Sequence, residues 1–187
     1  IAACDAGRLR LYPEPDCHTL KAAIAAHYAV KPDEVFVGVG SDDVLALAFL
    51  TFFAGQKPVL FPDITYSFYD VWAELYAIPY ETVPLGADFT LRPEDYAREN
   101  GGIVFANPNA PTGLALPLSG VEEILAKNPE SVVIVDEAYV DFGAETALPL
   151  LKKYENLVVV RTMSKSRALA GMRIGYAFAA KRLIRAM

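Results

Sequence analysis

The chain has 187 residues, 53% of them hydrophobic, and a formal net charge of −6. This length suits one domain with a large core, and the negative charge argues against a nucleic-acid-binding surface, which needs clustered Lys and Arg. No apolar run approaches the ~20 residues that a helix needs to cross a bilayer, so no membrane partner is expected.

Short apolar runs alternate with helical patterns along the chain. Strands are predicted at 35–38, 58–61, 80–83, 102–106, 131–135, 157–161 and 174–178. Helices are predicted at 17–29, 41–54, 66–77, 93–99, 118–127, 146–153 and 181–187. Several strands are apolar at consecutive positions, as expected where both faces of a sheet are covered. This pattern predicts an α/β fold, specifically a three-layer α/β/α sandwich with a mostly parallel sheet.

The two ends of the sequence indicate that it is a piece of a longer chain. Ile1 is not an initiator methionine, residues 1–11 lack the apolar stretch of a signal peptide, and 181–187 reads as a helix cut in mid-course. We expect an N-terminal arm or connector over residues 1–16 and one domain over residues 17–187.

The cysteine and histidine content gives little sign of metal or disulfide chemistry. Cys4 and Cys17 form no Cys-x-x-Cys pair, and two histidines are too few for a zinc site without several carboxylates. No metal is expected, and a reducing cytoplasm is the expected location.

Ligands of such sheets bind beyond the carboxyl ends of the strands, so the residues after each strand are the candidates for a site. Residues 38–43 (Gly-Val-Gly-Ser-Asp-Asp) place glycines and a capping serine before a helix, whose free amides can hold a phosphate. A capped helix after a tight turn explains the same residues without a ligand. The aromatic run at 61–69 can supply a ring that stacks on a planar cofactor, although such aromatics more often belong to the core.

Three later strands also end at, or are followed by, residues that can take part in binding or catalysis. Residues 107–113 (Asn-Pro-Asn-Ala-Pro-Thr-Gly) fix a backbone path that a plain turn does not need, which indicates a ligand loop. Asp136 ends a buried strand, where a carboxylate needs a cation or hydrogen bonds. Lys165, a candidate amine nucleophile, follows the next strand, with Ser164 beside it and Arg173 nearby. An Asp–Lys ion pair between loops is the simpler alternative, but it would not need the neighbouring hydroxyl and guanidinium groups.

In this order the motifs resemble those of the histidinol-phosphate aminotransferase family, which belongs to the class I/II, fold-type I enzymes that depend on pyridoxal 5′-phosphate (PLP). The resemblance covers nearly the whole chain, at 10–13, 38–43, 65–69, 107–113, 136–142 and 161–176. Its most specific parts are Asp-Glu-Ala-Tyr-x-x-Phe at 136–142 and Arg-Thr-x-Ser-Lys-x-x-x-Leu-Ala-Gly-x-Arg-x-Gly-Tyr at 161–176. It implies that residues 17–187 are the PLP-binding large domain.

The resemblance implies a role for each residue that would contact the cofactor ring. Lys165 would hold PLP as a Schiff base and later move a proton between Cα and C4′. Asp136 would face the pyridine nitrogen and keep it protonated, so that the ring accepts negative charge. Tyr139 would donate a hydrogen bond to the phenolic oxygen of the ring, and Tyr66 would stack on its face.

The resemblance also implies how the phosphate is held. The donors would be the backbone at Ser41 and Asp42, the Ser164 hydroxyl and Arg173, with Thr162 as a further candidate. Tyr12 would reach the phosphate bound by a partner subunit, which implies a homodimer.

One departure from the family pattern concerns the ring oxygen. The family has Asn-Pro-Thr-Gly, whose Asn bonds that oxygen, and here Ala110 stands in its place. Asn109 or Asn107 would substitute, or Tyr139 would act alone.

The implied reaction is transamination between histidinol phosphate and 2-oxoglutarate, in histidine biosynthesis. Three alternatives stay open: aromatic amino-acid transamination, decarboxylation of an amino-acid phosphate, and a non-catalytic relative that binds PLP. A dinucleotide-binding dehydrogenase module is disfavoured, because Asp43 stands where the third glycine of Gly-x-Gly-x-x-Gly is needed.

Overall fold

A computed structural model describes Gly7 and residues 10–187, and in this part of the chain seven strands form one sheet. The strands are β1 Val35–Gly38, β2 Val59–Pro62, β3 Tyr80–Val83, β4 Gly102–Ala106, β5 Val133–Asp136, β6 Leu157–Thr162 and β7 Gly175–Ala179. Their order across the sheet is β1-β7-β6-β5-β4-β2-β3. β7 runs antiparallel to both its neighbours, and the other pairs are parallel. The predicted mostly parallel sheet is therefore confirmed.

Helices cover both faces of the sheet. They are α1 His18–Tyr28, α2 Ser41–Phe52, α3 Tyr69–Leu75, α4 Leu118–Lys127 and α5 Lys181–Ile184. Buried residues of α1 and α4 pack on one face, and those of α2, α3 and α5 pack on the other. This arrangement confirms the predicted three-layer sandwich.

The central strands are buried on both sides because their side chains alternate between the two cores. Val133 and Val135 of β5 point towards α1 and α4, whereas Ile134 points towards α2 and α3. Each such side chain contributes roughly 1.5–3 kcal/mol when it is fully buried. The strands thus form a rigid support for the loops at their ends.

The strands lie within two residues of their predicted positions, but several helices differ from prediction. The segments predicted as helices at 93–99 and 146–153 are short 3₁₀ turns, at Pro93–Tyr96 and Leu148–Lys152. Each has proline at its first or second position, which suits the first turn of a helix. Each ends after only four or five residues, the length usual for a 3₁₀ turn. The helices predicted at 66–77 and 181–187 are shorter than expected, as α3 and α5.

Residues 11–16 of the predicted N-terminal arm form neither helix nor strand, whereas residues 1–6, 8 and 9, which include Cys4, lie outside the described residues. The thiol of Cys17 is free. No helix within Gly7 and residues 10–187 is long and apolar enough to cross a membrane. Within the same ranges, no group of three or more His, Cys, Asp or Glu side chains is placed to hold a metal ion.

One edge of the sheet collects the loops that the sequence singles out. Asp136 of β5 lies in register with Ala106 of β4 and Val160 of β6. Because β7 is antiparallel, its first residue, Gly175, pairs with the last residues of both neighbours, Thr162 and Gly38. The loops after β1, β4, β5 and β6 and the loop before β7 therefore meet at the same edge.

Candidate active site

A cavity of about 210 Å³ opens at this edge. It is lined by Ser41, Asp42, Tyr66, Ala106, Ala110, Asp136, Ala138, Tyr139, Ser164, Lys165, Ala170 and Arg173. An engineered cavity of about 150 Å³ binds benzene, so this volume admits one six-membered ring. The fold thus brings most of the predicted site residues around one ring-sized space.

Asp136 is a buried carboxyl group at the end of β5, only 4% exposed. The Tyr69 hydroxyl donates to its Oδ2 at 3.2 Å, and the Ala138 N–H donates to its Oδ1 at 3.1 Å. Burial raises the pKa of Asp136 to about 6, because these two neutral donors only partly replace the lost water. No Lys, Arg or His of the described part of the chain pairs with it. A ligand nitrogen that carries a proton would supply the missing positive charge.

Tyr69 is the site residue that the sequence did not reveal. It is the first residue of α3 and is fully buried against Phe49 and Phe61. In the sequence it is one of several aromatics in the run at 61–69. No neighbouring residue distinguishes it from an aromatic that only packs in the core. Its contact with Asp136 depends on the approach of α3 to β5 in the folded chain.

The amino end of α2 also lines the cavity. Ser41 and Asp42 begin this 12-residue helix, so their free amides and the helix dipole favour an anion there. Arg173 also lines the cavity, and its Nη1 donates to the carbonyl oxygen of Ala170 at 3.0 Å. The Arg173 Nη2 lies 4.0 Å from Oδ2 of Asp42, so the guanidinium is only loosely paired. With the Ser164 hydroxyl, these groups form a set of donors suited to a phosphate.

Two glycines allow this close arrangement. Gly40 has φ +92, and a Cβ there would lie 2.6 Å from Nη2 of Arg173. A Cβ at Gly175 would collide with the backbone of Gly40 and Ser41. The start of α2 can therefore approach β7 only because position 175 has no side chain.

Lys165 and Tyr139 both line the cavity, and the amine of Lys165 lies over the ring of Tyr139. The Nζ of Lys165 lies 5.2 Å from the centroid of the Tyr139 ring. Among the described residues, no carboxylate pairs with Lys165 and no hydrogen bond holds its amine. The simpler alternative of an Asp136–Lys165 ion pair is therefore absent, because Asp136 is bonded by Tyr69 and Ala138 instead.

Tyr66 forms an aromatic part of the lining. Its hydroxyl donates to Oδ1 of Asp42 at 2.9 Å, and its ring packs edge-on against Tyr69 with centroids 5.7 Å apart. Burial and the nearby Asp42 carboxylate raise the pKa of Tyr66, so the phenol stays protonated. These two contacts fix the ring beside the cavity.

The amide side chains of the 107–113 loop do not line the cavity. Asn109 accepts a hydrogen bond from Thr65 at 2.8 Å and donates one to the carbonyl of Ile64 at 2.8 Å. Asn107 exchanges two hydrogen bonds with the backbone of Leu116. Both amides stabilise the loop, and the methyl group of Ala110 meets the cavity. Of the possible hydrogen-bond donors to the ring oxygen of the expected cofactor, this geometry favours Tyr139 alone.

Two further predicted residues lie outside the lining. Thr162 is 6% exposed, and its hydroxyl donates to Oγ of Ser164 and accepts from the Ser164 N–H, so it orients Ser164. Tyr12 is 99% exposed and contributes nothing to the lining of its own cavity.

Comparisons with known proteins relate the chain to one family. The sequence profile of the family described as aminotransferase class I and II matches residues 2–187. Histidinol-phosphate aminotransferase 2 of Dechloromonas aromatica is 56% identical over 184 residues, which are 98% of this chain and 52% of that protein. The histidinol-phosphate aminotransferase of a Marinomonas species is 60% identical over 171 residues, 91% of this chain and 48% of that protein. The chain thus spans about half the length of the curated relatives that it matches.

Solved structures share the fold. Histidinol-phosphate aminotransferase from Sinorhizobium meliloti, in complex with PLP, superposes with a TM-score of 0.85 at 26% identity, over 97% of this chain and 52% of that chain. An aminotransferase from Mycobacterium tuberculosis gives 0.81 at 28% identity, over 89% and 47%. L-threonine-O-3-phosphate decarboxylase from Porphyromonas gingivalis gives 0.82 at 24% identity, over 95% and 56%, which is a likeness of fold alone.

Proposed function

Because this chain belongs to the aminotransferase class I and II family, we propose that residues 17–187 are the large domain of a PLP-dependent aminotransferase. The observation that carries the proposal is one ring-sized cavity that is lined by a buried carboxyl group, without a cationic partner among the described residues, and by an anion-binding helix start. Lys165, whose amine has no hydrogen bond or ion pair among the described residues, lines the same cavity.

The residues present fit PLP at both of its charged ends. Asp136 would face the pyridine nitrogen, because the buried carboxyl lacks a cationic partner among the described residues. The phosphate would be held by the amides of Ser41 and Asp42, the hydroxyl of Ser164 and the guanidinium of Arg173. Opposite charges at the two ends would fix the direction in which the ring lies.

When bound, PLP supplies an aldehyde that condenses with a primary amine, with loss of water, and a ring that accepts the electron pair left by a departing proton. Lys165 would hold the cofactor covalently and, once a substrate amine takes its place, its free amine would carry the proton from Cα. Asp136 would keep the proton on the ring nitrogen. Tyr139 would donate a hydrogen bond to the ring oxygen, and Tyr66 would cover one face of the ring.

We propose histidinol phosphate as the amino donor and 2-oxoglutarate as the acceptor, with a role in histidine biosynthesis. In this exchange the donor amine becomes a carbonyl group and the acceptor becomes glutamate. The support is the name shared by relatives at 56% and 60% identity. The decarboxylase neighbour is similar only in fold, and no observation favours that alternative.

The exposed apolar residues near the cavity support a homodimer in which Tyr12 serves the partner's site. Val39, Phe142 and Met172 are each more than 60% exposed, and each lies within three residues of a lining residue in the sequence. Exposed apolar side chains are typical of an interface where they form one patch. Tyr12, with its ring in solvent, is free to reach a second subunit.

We place the enzyme in the cytoplasm, where free thiols such as Cys17 persist.

The test uses the full chain loaded with PLP and treated with borohydride. We expect the reduced cofactor on Lys165, and K165A should lose the label and on the order of 10³-fold or more of the transamination rate, because a positioned proton carrier contributes about 10²–10⁴-fold. K181A is the control, since Lys181 pairs with Asp33 away from the site. A K165A protein that keeps the covalent label would refute the assignment.

A panel of amino donors tests the substrate. Conversion of bound PLP to its amine form should be fastest with histidinol phosphate. Faster conversion by aromatic amino acids would refute the proposed donor, and no conversion by any donor would indicate the non-catalytic relative.

A further inference from the structure

One side chain outside the cavity joins the two loops that carry Tyr139 and Lys165. Asp141 lies two residues after Tyr139, in the 3₁₀ turn Val140–Phe142. Ser166 follows Lys165 directly, and its hydroxyl donates to Oδ2 of Asp141. Tyr139 and Lys165, which both line the cavity, are thus each close in sequence to one end of this hydrogen bond.

Two arginines complete the contacts of Asp141. Its Oδ2 lies 3.6 Å from Nη2 of Arg167, in the same loop as Lys165. Its Oδ1 lies 3.6 Å from Nη1 of Arg161, in β6. Both carboxylate oxygens are therefore used, and all of these contacts lead to β6 or to the loop that follows it.

Arg161 gives these contacts a rigid base. Its side chain is 7% exposed, and its Nη2 and Nε lie 2.8 Å and 2.9 Å from Oε2 of the fully buried Glu137. Its guanidinium also lies 4.9 Å from the centroid of the Tyr28 ring in α1. A buried, hydrogen-bonded ion pair of this kind holds the guanidinium in place, so Asp141 is tied to the core as well as to the loop after β6.

Few other contacts fix these loops relative to each other. Among the described residues, the side-chain hydrogen bonds and ion pairs between segments 138–143 and 163–173 all involve Asp141. The remaining contact is the Lys165 amine over the Tyr139 ring. Groups that act on one small ligand must be held to about 0.5 Å, which loops do not achieve without supporting contacts.

We propose that Asp141, through Ser166 and Arg167, is a positioning residue that sets the Tyr139 hydroxyl relative to the amine of Lys165. This inference rests on the proposed function, since it concerns a cofactor that bonds both groups. A hydroxyl that donates to the ring oxygen of PLP would compete with the proton of the Lys165 linkage for that oxygen. A well-placed Tyr139 therefore lowers the pH at which that linkage loses its proton.

The experiment measures the absorbance of the Lys165–PLP linkage against pH in the full chain. D141A should raise the midpoint by about half a pH unit or more, because the Tyr139 hydroxyl no longer meets the ring oxygen well. D141N keeps an oxygen that accepts from Ser166 and should shift the midpoint less. The matched control is D33A, which removes an exposed aspartate paired with Lys181 and should leave the midpoint unchanged.

A double-mutant cycle separates positioning from general stability. In a Y139F background, D141A should have no further effect on the midpoint, because the hydroxyl that it positions is gone. An equal shift in both backgrounds, or an unchanged midpoint in D141A with PLP bound, would overturn the inference and leave the proposed function intact. If D141A does not fold, S166A removes the same hydrogen bond and must raise the midpoint in its place. A parent protein that forms no linkage at Lys165 would contradict both proposals.

Discussion

The carboxyl group of Asp136, which we propose binds the cofactor ring, lowers the stability of the folded chain at neutral pH. Its pKa in the folded protein is raised to about 6 from 3.8 by burial. Well below the lower of these pKa values the group is protonated in both the folded and the unfolded chain, so its ionisation does not change the free energy of unfolding. As the pH rises towards the higher value the unfolded chain loses the proton first, and the folded state loses stability. Above the higher value this loss is complete.

We therefore expect D136N without cofactor to be more stable than the parent at pH 7–8, by about 1–3 kcal/mol, since one pKa unit corresponds to about 1.4 kcal/mol. The advantage should vanish at acidic pH, below the usual pKa of an aspartate. Denaturant unfolding of both proteins across this pH range measures it. D33N should give no such gain, because Lys181 lowers the pKa of Asp33 below its usual value. A difference that stays constant over the whole range would contradict the assigned cause.

At the scale of elements, the contact between the start of α2 and the start of β7 decides the anion site. G175A would force these backbones apart, because the added methyl group meets Gly40 and Ser41. We expect a cost of about 1–3 kcal/mol in unfolding free energy, as for other overpacked positions. PLP affinity should fall at least tenfold, because the helix start moves away from the phosphate. Thermal unfolding and PLP titration measure the two effects.

Gly171 provides the matched control for that substitution. It belongs to the loop that precedes β7, and a Cβ there meets nothing within 4 Å. G171A should therefore change neither stability nor PLP affinity by more than a small amount. Equal effects of G171A and G175A would show that the loop, and not the approach of α2, sets the affinity.

The sequence predicted the elements better than the contacts between them. The strands could be located because β4 and most of β6 are apolar at consecutive positions, which is a local property. The motifs at strand ends could be grouped because parallel strands share one edge. The Tyr69–Asp136 hydrogen bond and the loop role of Asn109 could not be predicted, since each partner is distant in sequence.

At the scale of the whole molecule, the proposed homodimer predicts that two inactive variants restore each other. Y12A should lose at least tenfold of its activity, because its partner's phosphate lacks one donor, and K165A should be inactive. Refolded together, they form mixed dimers in which one site has both Lys165 and the partner's Tyr12. Roughly a quarter of all sites should then be complete at equal mixing. Activity that does not exceed the sum of the separate variants would exclude a role for Tyr12 across the interface.

The position of β1 at the edge of the sheet has a consequence for synthesis. Its neighbour in the sheet is β7, so residues 35–38 must wait for residues 175–178 before they find a hydrogen-bonding partner. A chain emerging from the ribosome is made from its amino end, and contacts so far apart in sequence form late. The start of α2, at Ser41 and Asp42, therefore reaches the guanidinium of Arg173 only when nearly all of this sequence has been translated. The proposed cofactor would therefore bind only after the sheet is complete.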